Sequence, residues 1–186
     1  MNNAFEASEG TRSMILGKLQ QQLKDYAVQG VIVKSDPNDP LALLILVPEG
    51  LLEFGVDRFE IPPHGKDFLL GFIPRLTNII YDKEFRDDIS SVVVEGHTDA
   101  SGSDTHNLKL SQFRSMEVVS ESINILERQT AGREHEKIDY FLRVLSASGR
   151  GKQDLMSSAK MSRRVVFKIR VRSFGGDKLQ KQLTNV

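Results

Sequence analysis

The chain has no cysteine among its 186 residues, which removes disulfide frameworks, thiolate metal sites and a cysteine nucleophile together. Nor is there an excess of either charge. Lysines and arginines number 25 and aspartates and glutamates 25, and no basic stripe interleaves with aromatics, so nucleic acid is not an expected partner. Long hydrophobic runs are missing too: the longest, LALLILV at 41–47, is far short of the ~18 residues a membrane span needs. No leader of basic, apolar and small-residue regions opens the chain, which predicts either a cytoplasmic protein or a soluble piece of something longer. Internal repeats and low-complexity tracts are absent.

What is present suits one folded domain, with 39% hydrophobic and 27% charged residues, near globular averages. Residues 11–28 place Ile15, Leu19, Leu23 and Tyr26 on one face, an amphipathic helix ended by Gly30. VIVKS and LALLILV read as two strands joined by the turn-rich DPNDP. The stretch 51–82 predicts a short apolar strand, a loop, and a helix from about Pro63, which Pro74 should kink or interrupt. DISSVVVEG predicts another strand. A helix capped by Ser111 should follow, with Phe113, Met116, Val119, Ile123 and Leu126 on its buried stripe. A further helix is expected over 133–145, then a glycine-rich turn, ASGRGK. In RRVVFKIRVRS, Val165, Phe167, Ile169 and Val171 alternate with mostly basic residues, as in a strand with one buried face. The order βαβαβ, with an early hairpin and an N-terminal helix, predicts an α/β two-layer sandwich with helices on one face of a mixed sheet. The expected divisions are an N-terminal helix and linker over 1–29, the domain over 30–173, and a mobile tail over 174–186.

Residues 91–119, SVVVEGHTDASGSDTHNLKLSQFRSMEVV, crowd functional side chains around one turn, and three chemistries fit them. A metal site would use His97, Asp99 and His106, with His64 as a further candidate. The chain has no i, i+4 histidine pair on a helix, so neither a metal nor a cofactor is expected, and His97 reads as structural. A hydrolase would need a nucleophile beside a base; Ser101, Ser103 and His106 are close, but polar loops hold such residues for turn chemistry and no nucleophile elbow is present. The third reading pairs Asp99, at a strand end, with Arg114, in the first turn of the next helix. They form either a loop salt bridge or a pocket in which guanidinium and helix N–H groups take a carboxylate while the aspartate takes an ammonium. Such a rim is complementary to a zwitterion.

The same stretch resembles the signature of the OmpA C-terminal-like domain, the non-covalent peptidoglycan-binding module of outer-membrane proteins, peptidoglycan-associated lipoproteins and MotB-type stator subunits. Gly96, His97, Thr98, Asp99, Gly102, Asn107, Leu110, Ser111 and Arg114 fall in register with it. Upstream, LLEFGVDRFEIPPHGKDFL is similar to the family's opening strand, loop and helix start; downstream, MSRRVVFKI is similar to its closing strand. The resemblance covers roughly 41–172. It implies that Asp99 binds the amine of meso-diaminopimelate in a peptidoglycan stem peptide and that Arg114 grips the carboxylate on the same carbon. Thr98, Asn107 and Leu110 would shape the pocket, with Arg163 beside it, while Gly96, His97 and Ser111 would be structural and no residue catalytic.

Three positions depart from the family pattern: Ser162 for asparagine, Arg150 for an aromatic, and Leu155 for proline. The connection ERQTAGREHEKIDYFL is also longer than usual, which predicts an extra or lengthened helix. Zorya anti-phage stator subunits resemble the chain in that expansion and in an S-R-R closing motif. The implied protein is a non-enzymatic periplasmic anchor, either a stator-type subunit or an outer-membrane or lipoprotein tether, with a cell-wall hydrolase a remote third. As a stator it would be a homodimer, joined to a membrane-embedded motor or channel subunit through an inner-membrane segment preceding Met1.

Overall fold

A computed structural model describes residues 2–131 and 133–173. The tail expected over 174–186 lies outside the described residues. Helices α1 (Asn2–Gln22) and α2 (Lys24–Ala27) lead into the hairpin β1 (Ile32–Ser35) and β2 (Ala42–Pro48). A short α3 (Glu49–Leu52) and the long α4 (Pro63–Ile80) follow, then β3 (Ile89–His97), α5 (Asp104–Thr130), α6 (His135–Val144), β4 (Leu145–Gly149), α7 (Ala159–Ser162) and β5 (Arg164–Val171). The five strands form one mixed sheet in the order β1-β2-β5-β3-β4, antiparallel except for the β3–β4 pair. That parallel pair requires a crossover, which α5 and α6 supply.

Alternation along the strands decides which face is covered. Leu43, Ile45 and Val47 of β2 and Val165, Phe167, Ile169 and Val171 of β5 enter one hydrophobic core with residues of α1, α4, α5 and α6. In β3 the inward set changes phase, from Ile89 to Val92 and Val94, because the register with β5 shifts between Ile89 and Ser91. The opposite face carries Leu44, Leu46, Glu95, His97, Val166 and Lys168, beside Arg150, Asp154 and Met156 from the segment after β4. Among the described residues no helix is long and apolar enough to cross a membrane.

Several elements differ from expectation for identifiable reasons. Helix α1 starts at Asn2 rather than near residue 11. Ile15, Leu19 and Leu23 are fully buried in the common core, and Tyr26 packs edge-on to Phe68 and Phe72 at 5.7 and 5.3 Å, so the apolar stripe finds its partner surface within the same chain. The strand expected at 51–54 is a single helical turn instead, closed by Glu53 in the left-handed region at φ 53° with its N–H donated to the Glu49 carbonyl. Short apolar runs do not distinguish strand from helix by periodicity. Pro74 does not interrupt α4. The carbonyl it leaves without a helical donor belongs to Leu70, which is half exposed, so water can serve it.

Helix α5 begins at Asp104, with Ser103 rather than Ser111 as its N-cap; the Ser103 hydroxyl accepts from the His106 N–H at 3.2 Å. Its buried face runs through Asn107, Ser111, Ser115, Val118, Ser122, Ile125 and Leu126, while Phe113 and Met116 are about half exposed. Serine replaces bulk there because the helix lies almost on the sheet. A Cβ on Gly96 would sit 2.3 Å from the Ser111 carbonyl oxygen, and one on Gly149 would sit 2.4 Å from the Gln112 nitrogen. The buried hydroxyls of Ser111, Ser115 and Ser122 donate to carbonyls of their own helix, as buried polar groups must. The same closeness explains β4: ASG within the expected turn is a parallel strand whose Gly149 lets α5 pass.

Candidate functional site

A cleft of about 650 Å³ opens beyond the end of β3, and its walls include Thr98, Asp99, Asn107, Leu110, Arg114 and Arg163. All six residues that the resemblance proposed for binding therefore face one space, brought together from the end of β3, from α5 and from the junction of α7 and β5. Gly96, His97 and Ser111 stand behind it. The Ser111 hydroxyl accepts from the Gly151 N–H at 2.9 Å, and the Gly151 carbonyl accepts from the Thr98 N–H at 2.8 Å, so a buried serine fixes the turn that places Thr98. Asn107 pins the small-residue loop by donating from Nδ2 to the Ser101 carbonyl.

Asp99 is held in an anionic arrangement. Its Oδ1 accepts from the Ser101 hydroxyl and from the Ser101 N–H at 2.9 Å, and its Oδ2 accepts from Arg163 Nη1 at 2.7 Å. The Ser101 hydroxyl, then Arg163 and the Ser101 amide, hold its carboxyl down at about 2. Its guanidinium partner is Arg163, not Arg114, so the loop salt bridge open to it in the sequence is replaced by a longer-range one.

Arg114 is buried, and it lies in the third turn of α5 rather than the first. Ten residues along a helix amount to about 15 Å, so the N–H groups of the helix terminus are not beside it. Its Nε donates to the Arg58 carbonyl at 2.8 Å and its Nη2 to the Gly55 carbonyl at 3.0 Å, and its Cζ lies 4.8 Å from the Phe54 ring centroid. Nη1 is directed to Glu49 Oε1 at 3.7 Å, too far for a hydrogen bond. Desolvation lowers the affinity of the guanidinium for its proton, and Glu49 opposes that shift.

Motif reasoning missed Glu49. It follows Pro48 at the end of β2, and its Oε2 accepts from Arg163 Nε at 2.5 Å. Asp99 and then Glu49 raise the Arg163 pKa above its ordinary value. The lining also includes Phe54, Val56 and Lys160, so the cleft sets Arg114, Arg163 and Lys160 against Glu49, Glu53, Asp57 and Asp99. No spacing rule marks Glu49, because its role depends on two arginines distant in sequence.

The three departures from the family pattern all lie off the cleft. Ser162 is buried, accepting from the Met156 N–H and donating to the Ser158 carbonyl, each at 2.9 Å. Arg150 pairs with Asp154 at 3.3 Å, and Leu155 is half exposed. Residues of the other two chemistries are engaged in structural contacts, Ser101 with Asp99 among them. Ser103 caps α5, His106 turns its Nε2 to Asp57 at 2.9 Å, and His97 Nε2 lies 3.2 Å from Glu95. Among the described residues no cluster of three or more His, Asp or Glu is placed to hold a metal ion.

No family model and no curated protein matches the sequence. Solved structures do match the fold. The cell wall anchor of the T6SS from Pseudomonas aeruginosa aligns with TM-score 0.54 at 20% identity, over 83% of this chain and 97% of that one. The periplasmic domain of MotB aligns at 0.56 and 16% identity, over 84% of this chain and 76% of that one. A Helicobacter pylori MotB periplasmic domain gives 0.56 and 16%, over 84% and 89%. The mixed five-stranded sheet with its helices is thus the OmpA C-terminal-like fold, shared with cell-wall-anchor and MotB periplasmic domains at low sequence identity.

Proposed function

We infer that the cleft binds the stem peptide of diaminopimelate-type peptidoglycan without covalent chemistry, and that the protein is a periplasmic anchor rather than an enzyme. One observation carries this reading: an ionised aspartate and a fixed arginine, Asp99 and Arg114, line a single 650 Å³ cleft together with Thr98, Asn107, Leu110 and Arg163. The Asp99 carboxylate suits an ammonium, and Arg114 Nη1, directed into the cleft without a hydrogen-bonded partner, suits a carboxylate. A stator-type anchor joined to a membrane-embedded subunit is the assembly favoured. If it is a homodimer, the interface lies elsewhere than Ile15, Leu19 and Leu23, which are already covered.

Co-sedimentation with purified sacculi tests the reading. Wild type should pellet and Asp99→Asn should stay in the supernatant with an unchanged circular dichroism spectrum. Lysine-type stem peptides, which lack the carboxylate, should bind more weakly. An Asp99→Asn protein that pellets like wild type would remove the assignment.

A further inference from the structure

The cleft contains a matched pair of charges. Glu49 and Arg163 hold each other at 2.5 Å, and the pair spans the two binding groups with its carboxylate toward Arg114, at 3.7 Å, and its guanidinium on Asp99, at 2.7 Å. A zwitterionic head group would present the same polarity to the same two residues. We propose that the Glu49–Arg163 ion pair is an internal mimic of the ligand, which fills the site in the free protein and is displaced when the ligand's ammonium and carboxylate take over Asp99 and Arg114. This rests on the peptidoglycan-binding reading and adds to it a residue, Glu49, that governs affinity and selectivity.

The contacts differ in a way that suits displacement. Arg114 is fixed by two backbone carbonyls and buried against Phe54, whereas the side chains of Arg163 and Glu49 are 35% and 21% exposed and lie at the cleft wall. The fixed groups are the receptor and the partly exposed pair is the movable part. The Glu49–Arg114 contact, beyond hydrogen-bond distance, is the loosest of the three and the first to yield to a carboxylate that can approach Nη1 closely. An incoming carboxylate cannot share that position with Glu49, since like charges at such range repel, so the plugged form excludes the ligand. Apparent affinity is then reduced by the fraction of molecules in which the pair is withdrawn.

Isothermal calorimetry with a meso-diaminopimelate tripeptide, as the free acid and as its carboxamide, separates the possibilities. Glu49→Gln removes the negative end of the mimic, and affinity for the free acid should rise by about tenfold if roughly a tenth of wild-type molecules are unplugged. The carboxamide should gain less, because it never competed for the carboxylate position. Glu49→Ala should behave alike, and thermal melts of both variants establish that they are folded. Unchanged or weaker binding of the free acid by folded Glu49 variants would overturn the proposal and make Glu49 a support for the arginines. If wild type binds and Asp99→Asn does not, the cleft reading stands whichever way Glu49 falls. If wild type binds neither peptide nor sacculi, both fall together.

Discussion

Replacing Arg114 with alanine removes more than a ligand contact. Its guanidinium ties the 53–62 segment to α5 through the Gly55 and Arg58 carbonyls, at 3.0 and 2.8 Å, and lies 4.8 Å from the Phe54 ring centroid. Hydrogen bonds from a charged donor contribute ~1.5–3 kcal/mol each, and a cation–π contact between a buried guanidinium and a buried ring ~2 kcal/mol. Gly55 and Arg58 are exposed, so water recovers part of this, and Glu49 loses a nearby positive charge. A net destabilisation of about 2–3 kcal/mol follows, well below the gross sum of those contacts. For a domain of this size that corresponds to a fall in Tm of roughly 5–10 °C. With no tryptophan in the chain, urea and thermal unfolding are best followed by far-ultraviolet circular dichroism, with amide hydrogen exchange over 53–62 as the local probe. Arg114→Lys keeps the charge but cannot reproduce the fork, so it should recover only a minor part. If Arg114→Ala unfolds within about 0.5 kcal/mol of wild type, with exchange over 53–62 unchanged, the segment is held by something other than this side chain.

Gly96→Ala should be among the most damaging single changes, costing upwards of ~3 kcal/mol, because the new methyl would meet backbone, the Ser111 carbonyl oxygen, at 2.3 Å; soluble expression and a normal melt would contradict the close approach of α5 to β3. Leu19→Ala should cost ~2–5 kcal/mol at any protein concentration, since the side chain is fully buried within its own domain; a loss that shrinks as concentration rises would instead place the stripe at an interface between copies. The depressed Asp99 pKa sets the sign of one pH effect. A carboxyl whose folded value, about 2, lies below its ordinary ~3.9 stabilises fully above about pH 5, and that contribution fades as pH falls through 2. Partial exposure limits it to ~1 kcal/mol, so between pH 5 and pH 2 wild type should lose about that much more stability in urea than Asp99→Asn; parallel losses would show that Asp99 gains nothing from its partners.

The sequence by itself determined the parts of the molecule that local chemistry specifies. The alternation in residues 165–171, the run 41–47 and the proline opening α4 each restrict their own backbone, and their elements form where expected. The GHTD stretch through Arg114 carried five of the six cleft residues for a related reason: a strand, a short loop and a helix bring nearby positions to one rim whatever surrounds them, whereas Arg163 reaches it from the closing strand's approach. Tertiary structure decided the rest. Ser111 looked like a cap because a hydroxyl suits a helix start, yet it is interior, since only a small residue fits where α5 crosses Gly96. Phe113 and Met116 matched a helical period but face outward, because the contact with the sheet is made by serines and glycines that carry no hydrophobic signal. The pairing inside the cleft was likewise invisible. Asp99 meets Arg163 and Arg114 approaches Glu49 across separations of 64 and 65 residues, and which opposite charge a side chain finds is set by the packed sheet, not by neighbours in the chain.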